Sequence, residues 1–70
     1  MEVFMIELFI KEKRLEKNLS QRQLADLSGI SKTHIGDLER NEREPTISVL
    51  CMIAKALDVK PEELYKFYEE

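Results

Sequence analysis

Turn-forming residues are scarce in this sequence. Two glycines and two prolines among 70 residues argue against a sandwich or barrel, which needs a tight turn after each short strand, and in favour of helices. One cysteine, Cys51, excludes an intramolecular disulfide, and no cysteine or histidine cluster has the spacing of a metal site. His34 is the sole histidine, so no Cys–His pair with a spare role can be built. No apolar run approaches the ~20 residues that span a bilayer. The apolar start carries Glu2 and Glu7 and lacks a basic lead, so it does not read as a secretory signal, and the cytoplasm is the default location. Paired carboxylates, an activated nucleophile and a phosphate-cradling glycine loop are also missing, which argues against an enzyme. Repeats, low-complexity segments and linkers are absent, and residues 1–70 read as one domain.

A basic excess is missing too. The formal net charge is −3, with 11 basic and 14 acidic groups. Residues 1–15 carry three of each, residues 16–46 five basic and six acidic, residues 47–70 three and five. No third of the chain is basic, so any polyanion would have to be met by charges segregated on one face. The apolar share of 43% is ordinary for a folded chain, and 70 residues build only a small core.

What is present centres on residues 19–39, LSQRQLADLSGISKTHIGDLE. Ser20 is a helix N-cap, because its hydroxyl can accept from an unpaired backbone N–H, and Gln23 completes an S-x-x-Q capping box. Leu24, Ala25 and Leu27 form an apolar face at helical spacing. Gly29, the residue that most easily takes positive φ, ends this helix over 21–28. Ile30 plugs the turn, Ser31 caps again, and Ile35 and Leu38 supply the buried side of a helix over 32–40. Helix, glycine corner, capped helix is the layout of a helix-turn-helix, here residues 20–40.

L-S-Q-x-x-L-A-x-L-x-G-I-S, then I-x-x-L-E and P-T-I-x-x-L-x-x-I-A-K-A-L-D-V, together resemble the Cro/CI-type (lambda-repressor-like, XRE) helix-turn-helix family across residues 6–65. The resemblance implies an all-α, five-helix lambda-repressor-like domain and a sequence-specific DNA-binding regulator. It also implies roles for single residues. Arg14 stands where the family often has an arginine paired with the glutamate ending the second motif helix, here Glu39, a contact suited to a planar guanidinium. The helix over 32–40 would be the recognition helix, entering the major groove N-terminus first. Gln21 would donate to a phosphate at the N-terminus of the first motif helix and brace the second, with Arg22 adding charge beside it. Ser31, Lys32, Thr33 and His34 would approach bases and backbone: Lys32 suits guanine acceptors, Thr33 a thymine methyl or a phosphate, His34 a phosphate. Asp37 stands where the family often carries a polar or basic base reader; it could accept from cytosine N4 or simply repel phosphate. Arg43 is placed for the second phosphate strand, diluted by Glu42 and Glu44. Gly36 costs about 1 kcal/mol relative to alanine in a helix and permits close packing or a close backbone approach. Asn18 and Asn41 stand where the family often has glycine, and asparagine tolerates the left-handed conformation.

The two ends are more ambiguous. Residues 1–10, MEVFMIELFI, favour one helix over 4–17, with a β-like start at 3–6 as the alternative, since periods of 2 and 3.6 are hard to separate here. Thr46 caps a helix over 47–57, with Ile47, Leu50, Ile53, Ala54 and Leu57 as the core stripe and Cys51 as a buried or half-buried small hydrophobe. Pro61 opens a fifth helix, Glu62 and Glu63 complement its dipole, and Leu64 and Phe67 face inward. Tyr65, Phe67 and Tyr68 exceed what a small core needs. With Phe4 and Leu8 they are expected to form a two-fold dimer contact; the bland reading is C-terminal packing onto the first helix.

The resulting expectation is a transcriptional regulator, a repressor by default, that binds a pseudo-palindromic operator in double-stranded DNA as a homodimer. Half-sites would lie roughly 34 Å apart. No cofactor, metal, membrane or small-molecule ligand is expected. The alternative is an antitoxin-like or adaptor module that keeps the fold and binds a protein through its apolar ends. The acidic balance and Asp37 favour that alternative, whereas Gln21, Ser31, Lys32 and Thr33 favour DNA.

Overall fold

Three side-chain caps decide where the central helices begin. Ser20, Ser31 and Thr46 each sit in extended backbone and accept a hydrogen bond from the N–H three residues on, at 3.0, 3.1 and 3.1 Å. At Ser20 the box is complete, since Gln23 Oε1 accepts from the Ser20 N–H at 2.8 Å. Such caps satisfy donors that the first helical turn leaves unpaired.

The computed structural model describes residues 4–69, the side chain of Phe4 excepted; Val3 of the β-like start lies outside them. The order is β1 (Phe4–Leu8), α1 (Ile10–Glu16), α2 (Gln21–Ser28), α3 (Lys32–Glu39), α4 (Ile47–Leu57), a 3-10 turn (Pro61–Leu64) and β2 (Tyr65–Glu69). Gly29 ends α2 at φ 77°. Asn18, Asn41 and Asp58 take φ 59°, 58° and 57° just past α1, α3 and α4. Short polar side chains bear that left-handed strain better than most.

One core joins these elements: Ile10 from α1, Leu24 from α2, Ile30 from the corner, Ile35 and Leu38 from α3, Ile53, Ala54 and Leu57 from α4, and Leu64 from the 3-10 turn. Burying one such large side chain is worth about 1.5–3 kcal/mol, so one to three anchors per element dock the motif. Helix α4 runs out of the core toward its own N-terminus. Ile53, Ala54 and Leu57 are buried, Leu50 is half-buried, and Ile47 is 82% exposed. Ile47 therefore lies on the expected stripe but past the edge of the core. Leu27 on α2 is also exposed, beside Met52. Cys51 is exposed rather than buried, because it turns about 100° away from the stripe formed by its neighbours.

The termini correct the all-α, five-helix expectation. The described residues form four α-helices and a two-stranded antiparallel sheet, β1–β2. The expected first helix over 4–17 splits at Phe9 into a strand and a short helix, and the expected fifth helix stops at Leu64. The register pairs Phe4 with Glu69, Met5 with Tyr68, Ile6 with Phe67, Glu7 with Lys66 and Leu8 with Tyr65. Both segments are rich in aromatic and branched side chains, which suits a pleated surface. The Phe9 N–H donates to the Leu64 carbonyl at 2.8 Å, fixing the base of the ribbon to the body. The molecule is elongated, 41 × 21 × 20 Å.

Candidate nucleic-acid interface

The corner between α2 and α3 is held by short-range bonds. The Gly29 N–H donates to the Ala25 carbonyl at 2.9 Å, and the Ile30 N–H donates to Ser28 Oγ at 3.2 Å. Ile30 then sinks into the core at 8% exposure. With Leu24, Ile35 and Leu38 fully buried, α3 can turn only its opposite face to solvent.

A second lock fixes the far end of α3. Arg14 Nε donates to Glu39 Oε2 at 2.7 Å and Nη2 to Oε1 at 3.0 Å, while Nη1 donates to the Leu19 carbonyl at 2.8 Å. Gln21 Nε2 donates to Glu39 Oε1 at 3.0 Å. Both charged side chains are below 10% exposure, at 9% and 4%. Burial works to raise the Glu39 carboxyl, but the bonds from Arg14 and Gln21 and the charges of Arg14 and Lys11 outweigh it and hold it below the ordinary carboxylate range. The bond to Glu39 likewise raises Arg14, against the opposing effect of burial. With three of its donors bonded inside the fold, Arg14 positions α1, α2 and α3 relative to one another.

The residues expected at DNA are only partly gathered. Arg22, Ser31, Lys32, Thr33 and Arg43 are exposed, while Gln21, His34 and Asp37 are half-buried. Arg22 and Lys32 line one open groove with Ala25, Gly29, Ile30 and Ser31, and Asp26 lines it as well. Gln21 divides its function: one N–H braces Glu39, and the residue remains at the first turn of α2. Ser31 Oγ is committed as an acceptor to the His34 N–H. Arg43 lies elsewhere, in the loop beside Ile6 and Leu8 with Asn41, Glu42, Glu44 and Pro45.

Asp37 is paired within its own helix end. Its Oδ1 accepts from Arg40 Nη2 at 2.7 Å, and Arg40 Nε donates to Glu42 Oε1 at 3.1 Å. The sequence reading places Arg40 among the basic residues that could share one face but gives it no contact of its own. The signal was there: a glycine four residues back and an aspartate three residues back lie beneath an arginine on one helical stripe.

The expected dimer residues fall on two faces of the ribbon. Leu8 and Tyr65 are cross-strand partners, and Phe67 follows on the same face opposite Ile6. Phe67 is 53% exposed rather than turned inward, because Leu64 closes the core before the strand begins. Tyr68 lies on the other face. Its hydroxyl donates to Glu7 at 2.8 Å, which raises its pKa, and Lys66 Nζ sits 5.0 Å from its ring centroid. Phe4 joins the ladder opposite Glu69. Among the described residues, no group of His, Cys, Asp and Glu could hold a metal ion, and no helix is long and apolar enough to cross a membrane.

This capped corner with a buried plug and an outward second helix defines a helix-turn-helix protein. The chain belongs to the XRE-type helix-turn-helix family, whose model matches residues 10–64. Among curated relatives it is similar to control protein C.SmaI of Serratia marcescens, 46% identical over 55 residues, 79% of this chain and 66% of that protein. Among solved structures it is similar to the restriction-modification controller protein C.AhdI of Aeromonas hydrophila, at TM-score 0.75 and 39% identity over 77% of this chain and 82% of that one. It is also similar to SinR, a master regulator for biofilm formation solved in complex with DNA, at TM-score 0.73 and 35% identity over 76% and 86%. The chain spans just under two thirds of the Serratia protein and 41% of an HTH-type regulator of Mycobacterium tuberculosis that it also matches.

Proposed function

We propose that this chain is a DNA-binding transcriptional regulator of the cytoplasm that represses from a pseudo-palindromic operator as a homodimer. The observation that carries the reading is the presentation of Lys32 and Thr33. Both are exposed in the first turn of α3, beyond a capped glycine corner and on a helix locked by Arg14, Gln21 and Glu39. A helix held in this way can enter a major groove with its N-terminal side chains leading. Gln21 and Arg22 at the start of α2, and Arg43 after α3, are the phosphate contacts in this reading. Ser31 and His34 flank the entering turn.

The second copy meets the first through the ribbon. An isolated two-stranded ribbon is marginal in water, and this one leaves Ile6 45%, Tyr65 39% and Phe67 53% exposed on one face. That face continues into an apolar groove lined by Leu8, Pro45, Ile47, Leu50 and Cys51. A two-fold pairing covers the same patch on both protomers and sets two recognition helices at a fixed spacing. The relatives named as controllers and the DNA-bound SinR structure support this reading by similarity.

Two observations favour a second reading, a protein-binding adaptor: Asp26 shares the groove of Arg22 and Lys32, and Asp37 and Glu42 bracket Arg40. Titrating a random duplex with salt separates the two. A DNA regulator gives affinity that falls steadily with log salt. Absence of binding at low ionic strength overturns the regulator reading and leaves the adaptor.

A further inference from the structure

We infer that Arg40 is a base-reading residue, aimed at a guanine edge by Asp37 and Glu42 across a seat that Gly36 leaves open. The inference rests on the regulator reading and deepens it. Thr33 and Asp37 on α3 and Arg40 at its C-cap fall at i, i+4 and i+7, one stripe about 10 Å long.

Three contacts define the guanidinium. Nη2 donates to Asp37 at 2.7 Å and Nε donates to Glu42 at 3.1 Å. Nη1 lies 3.1 Å from where a Cβ on Gly36 would stand. The side chain therefore folds back along its own helix, and a methyl group at residue 36 would crowd it. That explains a glycine in the middle of a recognition helix, where intrinsic propensity disfavours it. Asp37 and Glu42 are positioning residues: they take Nε and one Nη2 hydrogen, and leave the two Nη1 hydrogens and the second Nη2 hydrogen for other acceptors.

Charge decides between a base and a phosphate as the target. Two carboxylates surround one guanidinium, so the cluster as a whole is negative and repels a phosphate. A guanine edge carries no net charge. It offers two fixed acceptors, O6 and N7, and rewards a guanidinium whose orientation is already set. The Arg40 side chain remains 58% exposed while two acceptors restrain its rotamers.

The test selects bound sequences from a random duplex pool with the wild-type chain and with the R40K, D37N and G36A variants. R40K keeps the charge and loses the planar fork. The expected result is a guanine preference at one operator position in the wild type. R40K should weaken that preference roughly ten- to a hundredfold, and D37N and G36A should weaken it at the same position. G36A should melt no lower than wild type, which separates lost reading from lost fold. An unchanged selected sequence in R40K overturns the inference. So does an R40A variant that lowers the salt slope by about one phosphate contact with its preference intact, because Arg40 would then be a backbone contact. A wild-type chain that selects no sequence overturns the regulator reading, and this inference with it.

Discussion

Arg14 and Glu39, 25 residues apart in sequence, share two parallel hydrogen bonds of 2.7 and 3.0 Å at a site almost closed to solvent. The pair joins the end of α3 to α1, and through Gln21 to the start of α2. Breaking a buried pair by removing one partner costs more than the pair contributes, because the survivor is left charged and unpaired. Glu39→Gln should therefore destabilise the fold by about 3 kcal/mol at neutral pH.

That cost should depend on pH. The folded-state pKa of Glu39 lies below its ordinary value. Its contribution is complete above the unfolded-state pKa and is lost as pH falls through the lowered folded value. Denaturant titrations of wild type and Glu39→Gln should diverge at neutral pH and converge in strong acid. A gap of constant size across that range would show that the carboxylate charge is not what holds the helices.

Gly29 makes a different kind of prediction. Its φ of 77° is left-handed, but a Cβ there would meet only Met52 Cε at an ordinary 3.7 Å. The obstacle to substitution is thus the backbone and not space. Gly29→Ala should cost about 1–2 kcal/mol in thermal unfolding, and Gly29→Asn should cost less, because asparagine visits this region more readily. Equal losses for the two variants would point to crowding instead.

The central part of the fold was legible in the sequence because its signals are local. Ser20, Ser31 and Thr46 mark three helix starts, Gly29 marks a helix end, and α2, α3 and α4 fall where those marks put them. The ends were not legible, because strand pairing is not a local property. Leu8 and Tyr65 lie far apart in sequence yet are partners in one ladder, and only that pairing decides that FMIEL and YKFYE are strands. Periodicity over so few residues cannot separate the two outcomes. The same limit hid Arg40. Its charge is visible in sequence, whereas its two carboxylate partners depend on how the chain turns after α3. Ile47 was misjudged for a third reason: a helical stripe predicts direction, not how far the core extends along it.

The ribbon predicts a concentration-dependent protein. Ile6 sits opposite Phe67 at 45% exposure, so Ile6→Glu should leave the monomer's melting temperature nearly unchanged while placing a charge in the two-fold contact. Sedimentation should show wild type as a dimer and the variant as a monomer at the same concentration. Amide protection in β1 and β2 should rise with wild-type concentration, since an isolated ribbon is marginal. A variant that remains dimeric would place the contact elsewhere.

The groove at the motif corner predicts how affinity responds to salt. Arg22, Lys32 and Asp26 all line it. Each phosphate contact contributes about −0.9 to the slope of log affinity against log salt. Arg22→Ala, at the start of α2, should flatten that slope by about one contact and weaken all sequences alike. Lys32→Ala, in the leading turn of α3, should instead relax the preference at one position while moving the slope less. Asp26→Asn should act in the opposite sense, tightening binding to any duplex at low salt, because it removes a like charge facing the phosphates. If Asp26→Asn weakens binding, the aspartate contacts a donor in the complex and the phosphate track lies along another edge of the motif.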